Sequence, residues 1–228
     1  MTDGPNHIST ASSALAETIA LLAYALESTN PQRPNEVKTC SIENALSMSI
    51  LLHSVVLLEG WLHRLRFFQH RREARRLGRL RPMEWLRGKI PEDLRLDLNE
   101  VFCARDVIVH GHLWEARVAG SGEGLRFVEP PALGGEWFGD RRFWEEVLDP
   151  ATRQSRRLHL NLYPVRIWRR DAYLSFHCVV DALVELERYD PTGFRIETNW
   201  GLLDFGDKDD DCVSLCELAR RLEVPPNV

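Results

Sequence analysis

Apolar residues recur at three- and four-residue steps in four stretches of the chain, and each stretch predicts a helix. The first covers Ala14 to Glu27, with Leu15, Ile19, Leu22 and Leu26 on one stripe and Ser12 or Ser13 as its cap. Asn30-Pro31-Gln32-Arg33-Pro34-Asn35 ends it, and residues 1–9 read as a polar leader. The second covers Ile42 to Gln69 behind Ser41, with Leu46, Ile50, Leu51, Val55, Leu58, Trp61, Leu62 and Leu65. A helix this apolar on most sides belongs at the centre of a fold or at an interface. The third starts at Pro91, a favoured first position, with Glu92 and Asp93 placed against the positive end of the helix dipole. Its stripe is Leu94, Leu98, Val101, Arg105 and Ile108, and Gly111 suits a left-handed cap just after His110. The fourth covers Ala172 to Arg188, capped by Asp171, with Leu174, Cys178, Val179, Ala182, Leu183 and Leu186 inward. Pro191 and Gly193 close it, and a short last helix is expected from Val213 to Leu222.

Between the third and fourth helices the period changes. His112 to Val118 alternates, as does Leu125 to Val128, around the glycine-rich Gly120-Ser121-Gly122-Glu123-Gly124, which predicts a β-hairpin. Residues 129–156 begin rich in proline and glycine, and Phe143, Trp144 and Leu148 suggest one short helix. Leu158, Leu160 and Leu162 alternate as a strand would. The expectation is a mainly α protein, one domain over residues 1–228. It has a core at about 12–190, a hairpin and loop insertion at 112–165 and a C-terminal extension at 191–228.

Composition changes this picture only through charge. A hydrophobic share of 44% and a charged share of 28% suit a soluble globular domain, and the net charge of −5 argues against a bulk polyanion binder. The charge is segregated, however. Residues 62–89 hold Arg64, Arg66, Arg71, Arg72, Arg75, Arg76, Arg79, Arg81, Arg87 and Lys89 against Glu73 and Glu84, whereas Glu185 to Asp211 is acidic. Within the basic block Arg71, Arg72, Arg75 and Arg76 are candidates for contact with RNA phosphates, against the alternative of a solvated helix face. Trp85 and Leu86 should tuck the segment back on the core. The five cysteines fit no zinc spacing, and no metal or cofactor is expected. No signal-peptide pattern opens the chain, and the longest apolar run, Ile50 to Leu58, is short for a bilayer. These features point to a reduced cytoplasmic setting without membrane contact.

The candidate chemistry lies in Arg105-Asp106-Val107-Ile108-Val109-His110. Arg105 occupies a position where the stripe asks for an apolar side chain, and a cation there must be paired or open to a cleft. Glu59, alone among the apolar residues of the second helix, needs an arginine or other donor unless it faces water. The plain alternative is that Arg105 pairs with a carboxylate such as Glu59 or Glu100. Guanidinium forks onto phosphate, and imidazole moves protons near neutral pH, so the pair suits phosphodiester cleavage. Residues five apart on a helix differ by roughly 140° around its axis. One copy therefore does not converge both groups on one atom, whereas two copies related by a two-fold axis line one groove. His110-x-His112 as a metal pair lacks a third ligand at a familiar spacing.

Four helices with Arg105, the polar Asp106 and then His110 at the end of the third resemble the HEPN superfamily, whose motif is an arginine followed within a few positions by a histidine. The likeness covers roughly residues 12–190; the region 129–165 is longer than a minimal member needs, and the segment after 190 has no counterpart. The resemblance implies a HEPN-like bundle of four to five helices with a hairpin inserted after the third. It also implies a homodimer whose motif helices face each other, and metal-independent endoribonuclease activity in the shared groove. Arg105 and His110 would be catalytic, with Asp106, His112 and Glu59 in support. The partners implied are RNA, a second copy and, for a toxin or defence effector, an antitoxin or regulatory protein. A member without activity would instead bind a nucleotide, RNA or a protein.

Overall fold

The computed structural model describes residues 10–29, 42–69, 82–110, 114–115, 118–121, 124–127, 132–133, 146–189 and 214–225. Its centre is the long apolar helix expected at 42–69. This helix, α2 (Ile42–Gln69), packs against α1 (Thr10–Glu27), α4 (Glu92–His110) and α5 (Arg169–Tyr189). Ile50, Leu51, Val55, Leu58, Leu62 and Leu65 of α2 are buried. By length and composition Ile42–Leu65 could span a bilayer, but half of its most apolar window is buried inside the bundle. α1 covers it with Ile19, Ala20, Ala23 and Leu26. That helix begins at Thr10 rather than Ala14, so Ser12 and Ser13 lie inside it; Thr10 and Ala11 tolerate the helical backbone, and such ends shift easily.

The expected short basic connection carries α3 (Pro82–Leu86), which has proline at its first position and Trp85 and Leu86 buried. Gly88, at φ 72°, turns the chain into α4, a backbone conformation that favours glycine. Lys89 Nζ donates to Trp85 O at 2.7 Å and stands 4.3 Å from the Trp85 ring and 5.8 Å from that of Tyr189, linking α3 to the end of α5.

α5 starts three residues before the expected Ala172. Asp171 is therefore inside the first turn, not the cap, and its Oδ2 reaches back to accept the Trp168 N–H at 3.0 Å. The same carboxylate accepts from Asn161 N and Asn161 Nδ2, each at 2.9 Å. Complete burial pushes it up to about 6, against the pull of those donors. Next to it, Arg169 Nη2 donates to Leu26 O at 2.6 Å and Thr29 O at 3.1 Å, satisfying carbonyls left over at the end of α1. Tyr173 donates to Glu27, and Asn44 Nδ2 at the start of α2 donates to Pro164 O and Ile167 O. Three helix ends thus meet in one polar knot. Last, α6 (Leu215–Arg221) is capped by Ser214 Oγ, which accepts the Glu217 N–H, and lays Leu215, Leu218 and Ala219 on α5.

Among the described residues, strands occur only as short antiparallel pairs. β1 (Trp114–Glu115) pairs with β4 (Ala132–Leu133), and β2 (Val118–Ser121) with β3 (Gly124–Phe127), in the register Ser121 to Gly124. The hairpin is thus tighter than expected, its strands running into the glycines. β5 (Leu148–Asp149) pairs with β6 (Gln154–Ser155), so Leu148 is strand and the helix expected near it reaches only residues 146–147 among those described. The expected strand at 158–162 reduces to a single bridge, Gln154 to Asn161. His159 at φ 54° breaks the extended run, and the N–H groups of Leu158 and Asn161 go to the carboxylates of Glu100 and Asp171 instead of a neighbouring strand.

Candidate functional site

The Arg105 motif sits in the last two turns of α4, against the middle of α2. The buried face of α4 runs through Leu98, Glu100, Val101, Phe102, Cys103, Ala104 and Val107. Leu98 and Val101 of the stripe read from sequence belong to that face, whereas Leu94, Arg105 and Ile108 are half-buried at its edge. Arg105 lies on that edge, with 24% of its side chain exposed. Its Nη2 donates to Glu59 Oε1 of α2 at 2.9 Å. Its Nε stands 3.2 Å from Asp106 Oδ1, close enough for attraction, yet the angles make no hydrogen bond. The Phe102 ring, 5.4 Å from the guanidinium carbon, supplies a further face.

Glu59 thus finds the arginine that its lone position on α2 calls for, within one chain. Glu100 serves a different purpose. Nearly fully buried, it accepts the backbone N–H of Arg157 at 2.9 Å and of Leu158 at 2.8 Å. One cation between two carboxylates leaves the immediate Arg105 site one unit negative before His110 is counted. His110 is the last residue of α4 and is exposed, as is Val109 before it, at 54%. Helical spacing sets the imidazole roughly 140° around the axis from Arg105.

Neither buried thiol nearby is poised as a nucleophile. Burial pushes the Cys103 thiol well up, with the Asp106 and Glu100 charges adding to it, and burial pushes Cys178 up to about 12. Among the described residues no group of three or more His, Cys, Asp or Glu side chains could hold a metal ion.

The structure brings together Glu59, Arg105 and Asp106, and puts His110 at the end of the same helix. His112 and the basic candidates Arg71, Arg72, Arg75 and Arg76 lie outside the described residues. Sequence reasoning gave residues 150–170 a structural reading and no functional one. The signal available there was six arginines without an aspartate or glutamate. No family model, curated protein or solved structure matches this chain.

Proposed function

We propose that this chain is a metal-independent endoribonuclease of the HEPN type, acting in the cytoplasm as a toxin or defence effector. The observation that carries the reading is Arg105, a partly exposed guanidinium at the rim of the core, on the same helix end as the exposed His110. In this reading the 2′-hydroxyl of RNA attacks the adjacent phosphorus. A phosphorus–oxygen bond forms as the bond to the departing 5′-oxygen breaks. His110 transfers a proton as general acid or base, and Arg105 stabilises the charge that builds on the phosphoryl oxygens. A second copy of the chain supplies the matching arginine and histidine across a two-fold axis. Asp106 and Glu59 hold the guanidinium in place between turnovers.

The test is cleavage of RNA in the presence of a chelator by wild type, Arg105→Ala and His110→Ala. Each variant should keep its helical circular dichroism and lose cleavage by at least 100-fold, the order expected for a general acid–base group. Cleavage that survives both substitutions, or that requires a divalent cation, sinks the reading. One observation favours a second reading, a non-catalytic module that binds RNA, a nucleotide or a protein. The Arg105 fork is already occupied by Glu59. Saturable RNA binding without cleavage would select it.

A further inference from the structure

The run from Pro150 to Arg170 contains six arginines and no aspartate or glutamate, in a chain of net charge −5. Two of the six point inward. Arg169 ties the end of α1, and Arg170 donates to His159 O at 3.2 Å and Leu158 O at 3.1 Å. Arg157 lies against Asp97 at 2.8 Å and Asp93 at 3.1 Å on α4. Arg156, His159 and Arg166 are exposed. Arg153 is half-buried, its guanidinium 5.8 Å from the centre of the Tyr163 ring. Asp149 accepts from Ala151 N and Thr152 Oγ1, each at 3.0 Å, and these bonds with the nearby Arg156 charge hold its carboxyl below the usual range.

The backbone folds these groups together and keeps them there. β6 lies between β5 and residues 160–162, bonded by Ser155 N to Leu160 O at 2.8 Å and Leu162 N to Arg153 O at 3.0 Å. Adjacent runs at this spacing are about 4.8 Å apart. Arg166 follows within one turn, its N–H bonded to Tyr163 O at 2.9 Å. Arg153 and His159, at φ 60° and 54°, are the non-glycine residues with positive φ among those described. That conformation is unfavourable by about 1–2 kcal/mol for an L-residue. At His159 it persists because Glu100, Asp171, Ser155 and Arg170 all take backbone groups of residues 157–161. Strain over-determined by its surroundings, at a residue that carries a basic side chain, points to function.

We propose that the exposed face of residues 151–168 binds single-stranded RNA, with phosphates on Arg153, Arg156 and Arg166 and a base stacked on Tyr163. A rigid basic surface with an aromatic ring in it fits such a ligand. A lipid surface fits less well, because the exposed large apolar residues among those described, Leu21, Tyr24, Ile42, Val56, Val109 and Tyr189, all lie outside the run. Arg105 is five residues beyond Glu100, the residue that clasps this loop, roughly 7.5 Å along α4 and 140° around it. The surface therefore shares its RNA ligand with the reading above but not the Arg105–His110 chemistry.

The test is fluorescence anisotropy of a labelled 20-nucleotide 2′-O-methyl oligouridine, which cannot be cleaved by 2′-hydroxyl attack, titrated with the full chain at several salt concentrations. Arg156→Glu/Arg166→Glu should weaken binding at least tenfold and flatten the log–log salt slope by about 1.4, near 0.7 for each lost phosphate contact. Tyr163→Ala should weaken it about fivefold or more, and Tyr163→Phe should not. If the charge-reversed variant fails to fold, Arg156→Gln/Arg166→Gln read by the same slope replaces it. Absence of binding by wild type, equal binding by the variants, or equal affinity of wild type for polyglutamate or phosphatidylserine vesicles would overturn the proposal. Loss of cleavage in Arg105→Ala with unchanged binding by the Arg156/Arg166 variant rejects this surface and leaves the ribonuclease reading in place. Loss of binding by that variant with no cleavage by any form does the reverse.

Discussion

Glu59, Glu100 and Asp171 are carboxylates on or near the core, and each answers to a different set of donors. Glu100 takes two backbone N–H groups, one on each oxygen. Glu100→Gln would turn an amide NH₂ against one of them, leaving a buried donor unmet. A loss of about 1–3 kcal/mol in urea unfolding is expected. Asp171 gives a pH signature. Its carboxyl is held at about 6 in the fold against 3.8 normally, so the folded state binds the proton more tightly. The stability this adds is fully present below pH 3.8 and is lost as pH rises through about 6. Wild type should therefore lose melting temperature relative to Asp171→Asn between pH 4 and pH 6.5, a trend that scanning calorimetry would resolve. Glu59 competes with phosphate for Arg105 in either functional reading. A partly exposed pair of this kind is worth about 1 kcal/mol, so Glu59→Gln should tighten RNA binding by up to about fivefold. A weaker complex would instead assign Glu59 to positioning the guanidinium.

At the scale of elements, periodicity separates core from surface along α2 well enough to order substitutions. Leu58, fully buried, should lose about 2–5 kcal/mol on truncation to alanine. Val56, two residues earlier and 47% exposed, should stay within about 0.5 kcal/mol in a single copy. Chemical denaturation of the two variants checks the contrast. The same periodicity made α1, α2, α4 and α5 readable, because each buries an apolar stripe and is bounded by a usable end signal such as Pro91. It failed where the answer is non-local. The N–H groups at 157, 158 and 161 are met by carboxylates on α4 and α5, so the leucine alternation at 158–162 had no strand behind it. It failed by half at Arg105. A three- and four-residue stripe covers a broad arc of helix surface, and it does not tell the rim from the centre. The Glu59–Arg105 pair could be anticipated from two misfit charges on apolar stripes. That Glu100 would be enclosed by a loop some 57 residues away could not.

The whole molecule is where the ribonuclease reading can be tested most sharply, since one copy is geometrically insufficient for it. Arg105 and His110 diverge around α4, and the Arg105 site by itself carries excess negative charge from Glu59 and Asp106. A second copy answers the geometric need only if it docks beside the end of α4. Val109, one residue before His110, is an exposed apolar side chain at that end of α4 and would lie in such a seam. Val109→Asp should cost the single chain little, because the side chain already meets water. In a dimer it would bury two unpaired carboxylates at one seam, a penalty large enough to separate the copies. Light scattering should then give twice the chain mass of 26.3 kDa for wild type and the single mass for Val109→Asp. RNA cleavage should disappear together with the dimer while the melting temperature falls only as far as subunit separation demands. A wild type that cleaves RNA at the single mass would show that the groove belongs to one chain, and Arg105 and His110 would then need another route to a common phosphate.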